Sequence, residues 1–121
     1  MHSSGFQKIT DEAKKSIKEI DIAELEKLMS TSENFYLIDV REKEEYDEGS
    51  VARAIHLSKG VIERDIETTI PDKNAKIILY CGGGSRSALA AENLQRMNYT
   101  NVFSLAGGFR GLSANPNIIL K

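Results

Sequence analysis

Three short, nearly continuous apolar runs limit what this chain can fold into: FYLIDV at 35–40, IILY at 77–80 and VFSLA at 102–106. A strand with one wet face alternates apolar and polar residues, whereas a continuous run belongs to a strand covered on both faces. Helical patterns lie between the runs. After IILY, Ala90, Leu94 and Met97 recur at i, i+4 and i+7 with Ala91 beside them, while Glu92, Asn93, Gln95 and Arg96 point away. Alternation of this kind predicts an α/β fold, a central and mostly parallel sheet flanked by helices on both faces. The stretch from IILY through the helix to VFSLA is then a β-α-β crossover.

The rest of the chain fits around that unit. TDEAKKSIKEI (10–20) places Ala13, Ile17 and Ile20 at i, i+4 and i+7, which predicts a peripheral amphipathic helix. Asp21 followed by Glu24 has the spacing of a capping box, with Ala23, Leu25, Leu28 and Met29 as the apolar face of a second helix. AIHL (54–57) reads as a short strand, VIERDIETTI (61–70) as a helix and GGFRGL (107–112) as a glycine turn, and SANPNIIL is too broken to assign. The five acidic residues of REKEEYDEG (41–49) read as a solvated helical face.

With 121 residues and 40% hydrophobic content, one domain and one core are expected. Residues 1–19 read as a tag remnant plus helical extension, MHSSG resembling an expression-tag scar, and 20–121 as the domain. A net charge of -2 offers no bulk attraction to nucleic acid or anionic membrane, and no apolar run approaches transmembrane length. A soluble, cytoplasmic protein is the expectation, with a removed export signal left open by the tag-like start. One cysteine and two histidines exclude an internal disulfide and a zinc site of the usual spacing.

That one cysteine, Cys81, ends the strand IILY and opens the sequence CGGGSRS. In a parallel sheet this is where ligands bind, beyond the carboxyl end of a strand. Gly82, Gly83 and Gly84 let the backbone curl so that several N–H groups converge, and the helix beginning near Ser87 adds its unpaired donors. Such a cradle holds an anion and lowers the pKa of a thiol. Arg86, separated from Cys81 by the four residues Gly82–Ser85, could stabilise the thiolate, bind a substrate anion, or pair with Asp39 or Glu45 to close the loop. The bland reading is a buried thiol beside a flexible connection. A phosphate-binding Walker loop needs a lysine that is missing here, and a dinucleotide fingerprint fails at Ser87.

From about Ile20 to Leu112 the chain resembles single-domain rhodanese-like sulfurtransferases. The residues that carry the resemblance are LIDVREKEEYDEG with Glu45 and Tyr46, AIHL, YCGGGSRSALAAENL and LAGGF. The resemblance implies a persulfide on Cys81, formed from a donor such as thiosulfate and passed to cyanide or a thiol, including a protein thiol, with ping-pong kinetics. It further implies that Gly82, Gly83, Gly84, Ser85, Arg86 and Ser87 bind substrate, that Asp39 and Arg41 brace the loop from behind, and that no metal or organic cofactor is needed. The C-x4-R spacing matches the sulfurtransferase loop, whereas the related phosphatases use C-x5-R. The alternatives are a binding module of the same fold and, below it, a cysteine-dependent phosphatase. The loop itself carries no charge beyond Arg86, an argument for a donor other than thiosulfate. His56 is expected to be structural, and Leu112 stands where the family usually has tryptophan.

Overall fold

The computed structural model describes residues 2–121; Met1, the first residue of the tag-like MHSSG, lies outside them. In chain order the elements are α1 (Ser4–Lys14), β1 (Lys18–Ile20), α2 (Ile22–Met29), β2 (Tyr36–Asp39), α3 (Lys43–Glu48), β3 (Ile55–His56), α4 (Ile62–Thr69), β4 (Ile77–Tyr80), α5 (Ser85–Arg96), β5 (Val102–Leu105) and α6 (Gly108–Ser113). The five strands form one sheet in the order β1-β5-β4-β2-β3, and every pairing is parallel. β4 occupies the centre, so the segments that follow β2 and β5 flank whatever follows β4.

The central strand is buried on both faces, as its unbroken apolar run requires. Ile77 and Leu79 face Ile62 and Ile66 of α4 and Ala90, Ala91 and Leu94 of α5. Ile78 and Tyr80 point the other way, toward Leu25 of α2 and Leu112 of α6. Alternate residues of one strand thus feed two cores. The capping box at α2 forms as the spacing predicts, with Glu24 N–H donating to Asp21 at 2.8 Å and Asp21 N–H donating to Glu24 at 3.1 Å.

Two segments depart from the sequence reading. The helix expected over 10–20 runs instead from Ser4 to Lys14, and Lys18–Ile20 becomes a strand in register with Phe103–Leu105. The open edge of β5 offers unpaired backbone groups to Lys18–Ile20, of which Ile20 favours a strand as a β-branched residue; Ala106 N–H donates to Ile20 C=O at 2.8 Å. The predicted glycine turn at 107–112 is largely a short helix, α6, entered through left-handed Gly107 and Gly108.

The amino-terminal helix docks on α5. Ala13 of α1 meets Ala88 and Leu89 of α5, with Phe6 and Ile17 at the margin of the same cluster. This contact explains why α5 buries Ala88 and Leu89 in addition to the stripe visible in the sequence. The unassigned carboxyl-terminal stretch returns to Val51 through an antiparallel bridge at Leu120.

Candidate active site

Cys81 follows β4 at the middle of the sheet, and only 1% of it is exposed. The glycine run turns the chain back over the sulfur before α5 begins at Ser85. Gly84 makes the turn with φ 114°, a left-handed conformation that strains any residue with a Cβ. As a result Gly84 N–H donates to Cys81 Sγ at 3.1 Å and Ser87 N–H donates to it at 3.4 Å. The Ser87 hydroxyl lies 3.6 Å from the same sulfur and 2.8 Å from the Ser104 hydroxyl on β5.

Two opposing effects act on the thiol. Burial pushes its pKa up, and this is the largest single influence; the Ser87 hydroxyl and the N–H groups of Ser87, Gly84 and Gly83 together outweigh it. The net result is a thiol below its ordinary value. The cradle therefore makes the thiol easier to ionise than an ordinary one, inside a nearly closed loop.

Arg86 reaches across to α3. Its guanidinium makes a forked pair with Glu45, at 2.7 and 3.1 Å, and this hydrogen-bonded contact holds the Glu45 carboxyl below the usual carboxylate range. Glu45 also accepts from the Glu42 N–H at 3.1 Å, so α3 begins where the pair forms. Of the two carboxylates the sequence offered for Arg86, Glu45 takes the role. It thereby leaves the solvated face on which its acidic neighbours remain.

Asp39 pairs elsewhere. Its carboxylate accepts from Arg41 through the backbone N–H at 2.9 Å and the guanidinium at 2.7 to 3.2 Å, and both residues are buried. Arg41 also donates to Gly49 C=O at 2.7 Å and lies 4.0 Å from the Phe109 ring centroid. Phe109 N–H in turn donates to Cys81 C=O at 2.7 Å. Asp39 and Arg41 therefore reach the loop through α6 rather than by touching it. His56 binds Arg41 C=O through Nε2 at 2.7 Å and stacks on Tyr46, and it does not line the space around the thiol.

That space is a pocket of about 290 Å³ lined by Cys81, Gly83, Ser85 and Arg86, together with His2, Phe6 and Arg110. The last three were not singled out from the sequence. His2 and Phe6 arrive because α1 packs along α5, with His2 Nε2 3.4 Å from Ser85 Oγ. Arg110 arrives because α6 begins against the loop, Arg110 N–H donating to Gly82 C=O at 3.2 Å. No linear spacing announces either approach; both depend on helix docking. Among the described residues no cluster of His, Cys, Asp or Glu could hold a metal ion.

A buried, hydrogen-bonded thiol at the carboxyl end of a central parallel strand, beside a small pocket, can act as a nucleophile toward a small substrate. Comparison with known proteins gives this arrangement a lineage. The rhodanese-like domain family matches residues 21–115, and the chain belongs to that family. It is 38% identical over 76 residues to the thiosulfate sulfurtransferase PspE of Escherichia coli, covering 63% of this chain and 72% of that protein. It is 33% identical over 79 residues to the thiosulfate sulfurtransferase GlpE of Coxiella burnetii, covering 65% and 72%. Among solved structures, a Rhodopseudomonas palustris protein described as a possible tyrosine phosphatase superposes with TM-score 0.81 at 28% identity, over 92% of this chain and 90% of its own. A rhodanese-like domain protein of Staphylococcus aureus superposes with TM-score 0.70 at 28% identity, over 78% and 89%.

Proposed function

We propose that this protein is a sulfurtransferase that carries sulfane sulfur on Cys81, from a donor such as thiosulfate to a thiophile such as cyanide or a thiol, including a protein thiol. The observation that carries the reading is the set of loop donors converging on Cys81 Sγ. They stabilise a thiolate before reaction and a persulfide anion after it. The relatives named as thiosulfate sulfurtransferases support the same chemistry.

In the first half-reaction the Cys81 thiolate attacks the outer sulfur of thiosulfate. A new S–S bond forms, the old one breaks, and sulfite departs with the electron pair. Gly82, Gly83, Gly84, Ser85 and Ser87 supply the surrounding backbone and hydroxyl groups, and Arg86 keeps the loop closed through Glu45. In the second half-reaction the acceptor attacks the outer sulfur of the persulfide and the Cys81 thiolate leaves. Asp39 and Arg41 serve as positioning residues behind α6, and neither step draws on a metal or organic cofactor.

The phosphatase description of the Rhodopseudomonas palustris neighbour supplies a second reading. Two features weigh against it here. Four residues, rather than five, separate Cys81 from Arg86, and the Arg86 fork that would clamp a phosphoryl group is already occupied by Glu45. One experiment separates the readings. Incubated with thiosulfate, the protein should gain the mass of one sulfur atom, lose it to dithiothreitol, and show no gain as Cys81→Ser. Failure to load from any of several sulfane donors would sink the sulfurtransferase reading. Cys81-dependent hydrolysis of an aryl phosphate would establish the second. A Cys81→Ser protein with full cellular activity would instead favour a binding module.

A further inference from the structure

The pocket beside Cys81 contains two guanidinium groups, and they differ in what they can still bind. Arg86 spends two donors on Glu45, at 2.7 and 3.1 Å, which offsets part of its charge, while its remaining donors and charge still face Cys81. Arg41 is likewise committed to Asp39, behind the loop. Arg110 lines the pocket with no carboxylate partner among the described residues.

Its backbone is held against the loop, while its exposed side chain makes no hydrogen bond of its own among the described residues. Phe109 N–H and Arg110 N–H are bonded to the carbonyls of Cys81 and Gly82 at 2.7 and 3.2 Å, so the first turn of α6 is fastened to the loop. From there the guanidinium lies across Gly83. A Cβ at Gly83 would sit 3.1 Å from Arg110 Nη2 and 3.3 Å from its Cζ. The glycine leaves room for a planar cation over the loop, on the open side of the sulfur's pocket. Phe6 of α1 contributes an apolar part of the same lining.

We propose that Arg110 is the specificity-determining residue of this site, selecting an anionic sulfur donor by holding its oxyanion end while Cys81 attacks the sulfane sulfur. The proposal rests on the sulfurtransferase reading for the word donor and on the pocket geometry for the word anionic. Arg86 shares its charge with Glu45, so Arg110 is the pocket guanidinium with no carboxylate partner among the described residues. A guanidinium presents parallel N–H donors to two oxygens of a sulfonate-like group, a match that an ammonium makes less well. Thiosulfate and the sulfite that leaves are both dianions, so the contact persists through the reaction and acts mainly on binding of the donor.

The test uses the full chain, as wild type, Arg110→Gln and Arg110→Lys, with two measurements on each. Persulfide formation is followed by intact mass over a range of thiosulfate concentrations. Alkylation of Cys81 is followed with iodoacetate, an anion, and with iodoacetamide, its neutral counterpart. The expected result is a rise of about tenfold or more in half-saturating thiosulfate for Arg110→Gln, larger than any change in rate at saturation. The iodoacetate rate falls relative to iodoacetamide in that variant, and Arg110→Lys recovers part of both. Unchanged half-saturation with an unchanged alkylation ratio overturns the proposal. So does an equal loss of iodoacetamide reactivity, which marks Arg110 as a support of the loop. If the wild type takes no sulfur from thiosulfate while the alkylation ratio still falls in Arg110→Gln, the anion-binding role of Arg110 stands and the sulfur-carrying reading is the one that fails.

Discussion

At the scale of single residues, Ser87 is the side chain on which the state of the thiol most depends. Its hydroxyl and its N–H both face Cys81 Sγ, and the hydroxyl is oriented from behind by Ser104 at 2.8 Å. A group with a depressed pKa is ionised above that value and protonated below it. Alkylation of Cys81 should therefore rise with pH through an inflection lying below that of an unperturbed cysteine, and fall away as pH drops through it. Ser87→Ala removes one stabilising donor and keeps the backbone N–H, so the inflection moves up toward the ordinary value. A pH profile of iodoacetamide labelling in both proteins checks this; an inflection that stays put assigns the stabilisation to the backbone alone. The same sign governs stability. The thiolate's contribution is present above the unfolded thiol pKa and is lost as pH falls through the lower folded one.

At the scale of elements, α6 is fitted to the Cys81 loop through a position with no room for a side chain. Gly108 has φ 51°, and a Cβ there would stand 2.5 Å from Cys81 O and 2.7 Å from Gly82 O, both backbone atoms that cannot swing aside. Gly108→Ala should cost about 3 kcal/mol, from left-handed strain and from parting α6 and the loop. Urea denaturation measures that loss, and slower Cys81 labelling accompanies it because Phe109 and Arg110 lose their bonds to the loop; wild-type stability and labelling together would contradict the fit. This junction also marks how far the sequence could be read. β2, β4, β5 and the second half of α5 were legible because burial on both faces or along one stripe writes itself into local periodicity. The CGGGSRS loop was legible because its residue types have little other use at a strand end. Ile20 misled because an apolar residue at helical spacing serves an edge strand equally well, and the decision rests with β5, far away in sequence. Arg110 was invisible for the same reason: its meaning comes from the docking of Gly108 against Cys81 O.

At the scale of the whole molecule, the buried pair Asp39–Arg41 joins elements that the sheet alone would leave independent. β2 supplies the carboxylate, Gly49 after α3 accepts from the guanidinium at 2.7 Å, and Phe109 of α6 lies beneath it at 4.0 Å. The side chains are 6% and 0% exposed, so neither charge is effectively screened by water. Removing one partner is then far worse than removing both. Asp39→Ala leaves the guanidinium buried without its counter-charge and should destabilise by roughly 3–5 kcal/mol. Replacing both, as Asp39→Ala with Arg41→Met, removes the uncompensated charge and retains an aliphatic chain against Phe109, so much of that loss should return. Denaturation midpoints of the two variants decide the matter. A double variant no more stable than Asp39→Ala would show that the hydrogen bond to Gly49 and the contact with Phe109, rather than charge neutralisation, are what Arg41 provides. In either case the Cys81 labelling rate follows the pair, because the path from Arg41 to the loop runs through Phe109 N–H and Cys81 C=O.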